Sequence, residues 1–296
     1  MKSDFQIDSE ALERARRQFC LDTCLEWDRY QESPEKKSYI QRTVYEPGSR
    51  FSAFCGARKY WKNDSFFKAI VCMGQLFLAV DDKIYDWAVE SFGKCKPEWI
   101  CEFGTLRKID EKLREHGRKL TDTHIYFLPR KEKREISLGQ WDEGLSCQWY
   151  EKEELLLFRR RNRFARALCF SPTQPDVLAV AAIKKIFSES AMEKEVTGAY
   201  GDRTEYRDQS SMAGMAGASE DGAYLWQIGI DVAEEYEGRG LGARLVRALK
   251  EEVLRRGKIP FYGTSESHTV SQTVALKAGF VPAWTELYAA SLTEED

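Results

Sequence analysis

The sequence predicts a protein of mixed α+β and α/β class, with an α+β accessory domain over residues 1–140 and a second domain over residues 141–296. Two observations predict this class. Helix-like and strand-like segments alternate along the chain, and a charged run at residues 131–135 separates the two halves. With 296 residues and 43% hydrophobic side chains, the chain can bury two cores of ordinary size.

The N-terminal half contains apolar runs whose spacing changes between helical and extended. Leu12, Ala15 and Phe19 form the apolar stripe of the first helix, and Gly74 divides a buried run into two strands. The predicted elements are a helix near residues 8–28, two strands within 66–80, helices over 85–92 and 105–120, and a strand over 124–129.

The C-terminal half is predicted to begin with an amphipathic helix over residues 176–192, because Val177, Val180 and Ala181 follow Pro175 at helical spacing. Further elements follow in the order strand, strand, helix, strand. They are a polar, mobile loop over residues 198–211, strands over 212–219 and 225–232, a helix from about 244 that Gly257 ends, and a strand over 259–264.

A glycine-rich loop lies between the strand over 225–232 and the following helix, with Gly238, Gly240 and Gly242 at alternate positions. Glycine permits positive φ and a close approach of backbone to a ligand. Free N–H groups and the positive end of the helix dipole favour the negative charge of a pyrophosphate. The loop is therefore a candidate phosphate site.

Two common classes of phosphate-binding protein with such loops are excluded by the neighbouring sequence. No Lys-Ser or Lys-Thr pair follows the glycines, which excludes a Walker loop. The loop lies in the last quarter of the chain, where too little sequence remains for a doubly wound dinucleotide domain. An acyl-CoA is the ligand that remains.

Two segments resemble the GNAT superfamily of N-acetyltransferases, and the whole chain looks like its two-domain bacterial members. The segment Glu237–Gly242 is similar to the family signature Gln/Arg-x-x-Gly-x-Gly/Ala, with Glu237 in place of Gln or Arg. The segment His268–Phe280 resembles the family's later Asn-x-x-Ser/Ala…Lys-x-Gly-Phe segment, with His268 in place of Asn. The order of elements in the N-terminal half also suggests the hypothesis that it is a degenerate GNAT-like copy.

The resemblance implies a C-terminal GNAT fold, with a mixed, splayed central sheet flanked by helices, and acetyl-CoA as co-substrate. Backbone groups of Ile230 and Val232 would pair with the pantetheine arm, the glycine loop would hold the pyrophosphate, and two later residues would touch CoA. The implied CoA-binding residues are Ile230, Val232, Glu237, Gly238, Arg239, Gly240, Leu241, Gly242, Ala243, His268 and Ser271.

Catalytic groups are harder to assign. Many relatives carry a Tyr as the acid for the leaving thiolate, but Ala275 stands at that position, and Trp226 stands where some relatives carry a Glu base. The candidate catalytic residues are Glu266, Asp231 and His268, with Glu266 ranked first because it follows a strand end. Each also fits a structural role, the carboxylates in turns, caps or ion pairs and His268 at a helix start or in the core.

Composition limits the partners. A net charge of −3 and a pI near 5.9 argue against nucleic acid or an anionic membrane as partner. The basic run Arg159–Arg166 fits an anion site or a solvated face with intramolecular acidic partners, and the charge balance favours the solvated face. No signal peptide or membrane-spanning run is visible, so we expect a cytoplasmic protein.

The eight cysteines lie in the first 169 residues without CxxC pairs, so no metal site is predicted. Cys20 and Cys24, which are one helical turn apart, are predicted to be buried thiols. The favoured function is transfer of an acetyl group to a primary amine of a small molecule, by a monomer or homodimer. A non-catalytic acyl-CoA-binding protein is the alternative, and a protein-lysine acetyltransferase is a third possibility that lacks a visible peptide-binding module.

Overall fold

The computed structural model describes residues 6–43, 56–58, 66–131, 144–185 and 209–292. These residues belong to two compact units. The first unit comprises Met1–Glu132, Asp221–Trp226 and Lys258–Asp296, and the second comprises Lys133–Glu220 and Gln227–Gly257. The predicted domain boundary at residue 140 lies outside the described residues and stays a prediction.

Helices and strands alternate along the described residues, which confirms the mixed α and β class. The helices are α1 Ser9–Asp22, α2 Trp27–Glu32, α3 Tyr85–Phe92, α4 Phe103–Arg114, α5 Lys152–Leu155, α6 Leu241–Arg255 and α7 Thr269–Lys277. The strands are β1 Ser38–Thr43, β2 Phe67–Cys72, β3 Gln75–Asp81, β4 Arg118–Leu120, β5 His124–Pro129, β6 Leu145–Glu151, β7 Asp176–Lys184, β8 Met212–Glu220, β9 Leu225–Val232, β10 Ile259–Thr264 and β11 Phe280–Ser291.

The first unit is built on a mixed sheet with the strand order β1-β3-β2-β11-β5-β10. β1 runs parallel to β3, and the other neighbouring pairs are antiparallel. The turn between β2 and β3 uses left-handed backbone at Met73 and Gly74, with φ of 48° and 76°. Phe67, Leu78 and Leu287 from the sheet share a core with side chains of α3 and α4.

The first helix ends earlier than predicted. The stripe near residues 8–28 is divided, because Cys24 takes a left-handed φ of 59° between α1 and α2. Asp8 caps α1, where its carboxylate accepts the backbone N–H groups of Glu10 and Ala11 at 3.0 Å. Cys20 is buried, as predicted, whereas Cys24 is half-buried.

The helix predicted over residues 105–120 also ends early, at Arg114. Gly117 has a φ of 70°, and the chain turns there into β4. The Asp110 carboxylate then accepts the Leu120 N–H at 2.9 Å, which holds the new strand against the helix. The strands within 66–80 and over 124–129 and the helix over 85–92 are confirmed.

A cluster of four charged side chains lies in the interior of the first unit. Arg58 donates to Asp22 at 2.5 Å and pairs with Glu286 at 2.6 Å, while Lys68 lies 3.8 Å from Asp22. Trp284 donates its indole N–H to Glu286 at 2.7 Å. Removing charges from water costs several kcal/mol each, so such a cluster is stable only when its members are paired.

The second unit is built on strands in the order β9-β8-β7-β6, of which β6, β7 and β8 are antiparallel neighbours. α6 packs on one face, where Leu245 lies 3.2 Å from the place of a Cβ on Gly214. The opposite face is covered by residues 164–168, which we call the crossover. A Cβ on Gly217 would overlap the Ala167 carbonyl oxygen, and one on Gly229 would overlap that of Arg166.

The predicted helix over residues 176–192 is wrong, because Asp176–Lys184 form strand β7. β7 lies between β6 and β8 and is buried on both faces over most of its length. Such a strand shows a continuous apolar run without alternation, which periodicity cannot distinguish from a buried helix. The rest of that prediction, and the mobile loop predicted over 198–211 up to residue 208, lie outside the described residues.

Replacing one member of the buried charge cluster tests its contribution to stability. Burial alone would raise the pKa of Asp22, but Arg58 and Lys68 outweigh it and hold that pKa below its ordinary value. Asp22 therefore contributes stability above the unfolded pKa of about 4, and this stability is lost as the pH falls through the lowered folded pKa. We expect Asp22→Asn to cost about 3–5 kcal/mol at neutral pH, since it leaves buried cations uncompensated.

The measurement is the urea midpoint of wild type and variant between neutral pH and pH 3. The wild-type midpoint should fall with the pH as Asp22 loses its contribution, and this part of the fall should be absent in the variant. Glu13→Gln is the matched control, because Glu13 pairs with Arg17 at 2.9 Å on the exposed side of the same helix. It should cost less than about 1 kcal/mol. Equal midpoints for the two variants would contradict the interpretation.

The close backbone contact of the crossover predicts that Gly229→Ala is destabilising. The new methyl group would overlap the Arg166 carbonyl oxygen, so the crossover must shift. Overpacking of this kind costs about 1–3 kcal/mol. Gly144→Ala in the same unit is the control, because no atom of a described residue lies within 4 Å of its Cβ position. Thermal unfolding should separate the two, and an unchanged Tm for Gly229→Ala would show that the crossover is not packed this closely.

Candidate functional site

The glycine loop after β9 has an open geometry. Gly238 and Gly240 have φ of 72° and 78°, and within the residues that the structure describes no atom lies within 4 Å of a Cβ built on either. Positive φ, rather than lack of space, therefore requires glycine at both positions. Gly240 is also the N-cap of α6, and no side chain in the described part of the chain caps this helix. The first N–H groups of a fifteen-residue helix are thus left for another acceptor.

Charged side chains surround the approach to this loop. Arg239 is exposed, with its guanidinium 5.6 Å from the centre of the Tyr236 ring. Lys184 lies 5.4 Å from the same ring and 3.6 Å from the Glu235 carboxylate. Glu237 is also exposed, so its carboxylate stays in water, where its repulsion of a phosphate is weakened. These four charged side chains together carry no net charge, so the attraction for a phosphate rests on the backbone N–H groups and the dipole at the α6 N-terminus.

The strand that leads into the loop changes character along its length. Ile228 is buried, whereas the four residues from Gly229 to Val232 are only half-buried. Asp231 lies in this part, and its carboxylate accepts the Arg166 backbone N–H at 2.6 Å. A second Asp231 oxygen lies 3.9 Å from the Arg166 guanidinium. The carboxylate predicted to be catalytic therefore already has a structural partner in the crossover.

The crossover is preceded by polar anchors that sequence reasoning missed. The Asn162 side chain donates to the Leu168 carbonyl at 2.6 Å and accepts the Phe164 N–H at 3.0 Å. The Gln209 side chain accepts the Arg163 N–H at 2.9 Å and donates to the Arg161 carbonyl. No spacing rule predicts the Gln209 contacts, because they join residues that are far apart in the sequence.

The remaining predicted site residues lie in the first unit, near the start of α7. His268 is the N-cap residue of α7, is exposed and makes no side-chain cap. Glu266 is exposed, and its carbonyl accepts from the Gln272 side chain at 2.8 Å. The Ser271 hydroxyl lies 2.8 Å from that of Tyr262. Burial raises the pKa of Tyr262, and the Ser271 hydrogen bond opposes this rise.

The site residues therefore form two groups. Ile230, Asp231, Val232 and the loop Glu237–Ala243 follow one another in the second unit, while Glu266, His268 and Ser271 lie within one turn and its helix in the first unit. Among the described residues, no helix is long and apolar enough to cross a membrane. The same part of the chain contains no group of three His, Cys, Asp or Glu that could hold a metal ion.

Comparison with known proteins identifies the segment that carries the glycine loop. Residues 205–289 match the model of the FR47-like protein family. No curated protein matches the sequence.

Three solved structures share low identity with the chain. A GNAT-family acetyltransferase from Colwellia psychrerythraea is 12% identical over 58% of this chain and 57% of its own, with a TM-score of 0.35. A GCN5-related N-acetyltransferase-like protein from Streptococcus suis is 14% identical over 95% of this chain and 99% of its own, with a TM-score of 0.41. A GCN5-related N-acetyltransferase from Sphaerobacter thermophilus is 11% identical over 77% of this chain and 78% of its own, with a TM-score of 0.42.

The chain spans little more than half the length of the Colwellia protein. The family model matches the region that contains β8, β9, the glycine loop, α6, β10 and α7, where the resemblance was found in the sequence. Residues 205–289, which carry the glycine loop, are therefore similar to the FR47-like protein family.

Proposed function

We propose that the protein is an N-acetyltransferase, which moves the acetyl group of acetyl-CoA to a primary amine of a small molecule by direct attack. The uncapped N-terminus of α6 behind Gly238 and Gly240 is the observation that carries this proposal. The N–H groups of this terminus and its left-handed glycines suit a pyrophosphate, which the resemblance to the GNAT superfamily leads us to expect.

The residues of the second unit suit acetyl-CoA along its length. The loop Glu237–Ala243 would hold the pyrophosphate, with Arg239 as a nearby cation. Backbone groups of Ile230 and Val232 would pair with the pantetheine arm, and their half-buried strand end supports this role. His268 and Ser271 are proposed as further CoA contacts. When bound, acetyl-CoA supplies the activated thioester.

Proton transfers complete the proposed reaction. A primary amine must lose a proton before or during its attack, and the leaving thiolate must gain one. We assign Glu266 and His268 to the acceptor side, because both are exposed at the start of α7. Asp231 is the third candidate, although its contact with Arg166 favours a positioning role. For the thiolate, the hydroxyl pair of Tyr262 and Ser271 is available, since Ala275 carries no proton donor.

The proposal also covers the acceptor, the partners, the location and the oligomeric state of the protein. We propose a small-molecule acceptor, no nucleic acid or membrane as partner, no metal, a cytoplasmic location and a monomer or homodimer. The net charge of −3 supports the exclusion of polyanionic partners. An accessory role for residues 1–140 beside an acetyltransferase domain over 141–296 remains part of the same proposal.

A second candidate function is binding of acyl-CoA without catalysis. Fully buried Ala275 at the position of the family's proton donor favours it, as does the engagement of Asp231 by the crossover. Only turnover distinguishes the two functions, because both require the glycine loop.

The first experiment measures thiol release from acetyl-CoA with a disulfide dye across a panel of amines. We expect release by the wild type with at least one amine and a loss of at least about tenfold in CoA affinity for Gly240→Trp, because the indole would fill the loop. Gly257→Trp is the control, since Gly257 follows the other end of α6 with a φ of 74° and the same open surroundings. It should bind CoA like the wild type.

The outcomes separate the candidates. Tight CoA binding without release from any amine supports the binding protein. Equal CoA affinity for the two tryptophan variants contradicts the assignment of the loop.

Substitution of Asp231 tests whether it positions the crossover or acts as a base. An asparagine keeps an oxygen that accepts the Arg166 N–H but has no basicity, whereas an alanine has neither. For a positioning residue, Asp231→Asn should retain most of kcat and Asp231→Ala should lower both kcat and Tm. Equal loss of kcat in the two variants with an unchanged Tm would instead identify Asp231 as a base.

A further inference from the structure

A loop rich in arginine precedes and enters the crossover in the second unit. We call residues 159–166 the arginine loop, and all of its guanidinium-bearing residues are exposed. These residues are Arg159, Arg160, Arg161, Arg163 and Arg166. From sequence alone, a solvated face with intramolecular acidic partners was the favoured interpretation of this run.

The backbone of the arginine loop is fixed by side-chain hydrogen bonds, which a solvated surface segment does not need. Asn162 bonds the backbone on both sides of Phe164, and Gln209, which is 7% exposed, bonds the backbone of Arg161 and Arg163. Phe164 itself is buried in the core of the unit. Fixing the backbone in advance lowers the entropy that a ligand must overcome when it binds to the side chains.

The loop enters a different face of the sheet from the proposed phosphate site. Gly214 and Gly217 are three residues apart in β8, so they face opposite sides of the strand. Gly214 faces α6, while Gly217 and Gly229 face the crossover. Because the glycine loop belongs to the N-terminus of α6, Arg166 on the crossover face is available to a different ligand from the acetyl-CoA phosphates. Arg163 is not separated in this way, since the pKa of Glu235 beside the glycine loop is lowered by its own backbone N–H and, further, by Lys184 and Arg163.

Arg166 is the member of the loop nearest to the proposed chemistry. Its backbone N–H is fixed by Asp231, between the two residues proposed to pair with pantetheine. Its side chain is 82% exposed, and its guanidinium lies 3.9 Å from the Asp231 carboxylate, which is longer than a charge-assisted hydrogen bond. The planar donor fork of this guanidinium therefore remains accessible to the oxygens of a carboxylate or phosphate.

We propose that Arg166 binds an anionic group of the acceptor, so that the substrates are amines that also carry a carboxylate or a phosphate. This inference rests on the proposed acetyltransferase function and names its substrate class. Asp231 positions the cation by fixing its backbone, and the Asn162 and Gln209 anchors fix the loop that leads to it. The other arginines add a positive field that attracts such acceptors.

The test compares acceptors that differ only in the anion. β-Alanine is paired with β-alaninamide, and O-phosphoethanolamine with ethanolamine, in the thiol-release assay with the full chain. We expect the wild type to favour the anionic member of at least one pair, and the pair that shows this preference identifies the anion as carboxylate or phosphate. Arg166→Gln should raise KM for that acceptor at least about tenfold, because it removes a charged donor.

Three controls make the result specific. Arg166→Gln should leave KM for acetyl-CoA and for the neutral acceptor unchanged, and Arg166→Lys should recover part of the lost affinity. Arg29→Gln should change nothing, since Arg29 is 69% exposed and lies 4.0 Å from Glu26, which matches the exposure and pairing of Arg166. The Tm of each variant reports whether it is folded.

Each outcome has a separate meaning. Turnover of neutral amines only, or an equal effect of Arg166→Gln on both members of a pair, overturns the inference and leaves the acetyltransferase proposal standing. Absence of turnover with every amine overturns both.

Discussion

The second unit depends on direct contact between the backbone of the crossover and the backbones of β8 and β9, with no side chain between them. Gly217 and Gly229 allow the crossover to lie against both strands, and a methyl group at either position would overlap a carbonyl oxygen. The other features of this face depend on that contact. Asp231 reaches the Arg166 N–H only because the crossover is close, and the arginine loop is held where the crossover begins.

The first unit depends on a different kind of interaction. Four charged side chains occupy its interior, and the rings of Phe19, Phe261 and Trp284 lie within 6 Å of the Arg58 guanidinium. The aromatic faces attract the cation, and the carboxylates neutralise it. Such a cluster adds little net stability compared with apolar packing, but it requires each member to be in place.

Much of the fold could be predicted from local patterns, because most strands are bounded by turns and most helices by left-handed residues. The bounds of α3, β5, β9 and β10 agree with the predicted ranges. β7 could not be predicted, since its burial on both faces removes the alternation that marks a strand. The early end of α4 depends on an Asp110 contact with a residue ten positions away, which no propensity describes.

In the candidate site, too, some features could be predicted from the sequence and others depend on the folded chain. The glycine loop was visible in the sequence because its chemistry requires glycines at fixed spacing between a strand and a helix. The roles of Asn162, Gln209 and Asp231 were not visible, because each depends on what the folded chain brings beside it. The basic run was visible, and its exposed side chains agree with the predicted solvated face, but composition does not reveal that the backbone beneath them is fixed.

The position of β11 has a consequence for how the chain folds during synthesis. This strand lies between β2 and β5 and supplies Glu286 to the buried charges, although it follows both strands by a long stretch of the chain. Until it emerges, β2 and β5 expose open edges, and Arg58 lacks one of its carboxylates. Open edges of this kind invite pairing with other chains. The first unit therefore cannot complete its sheet or its buried ion pairs until β11 has been synthesised.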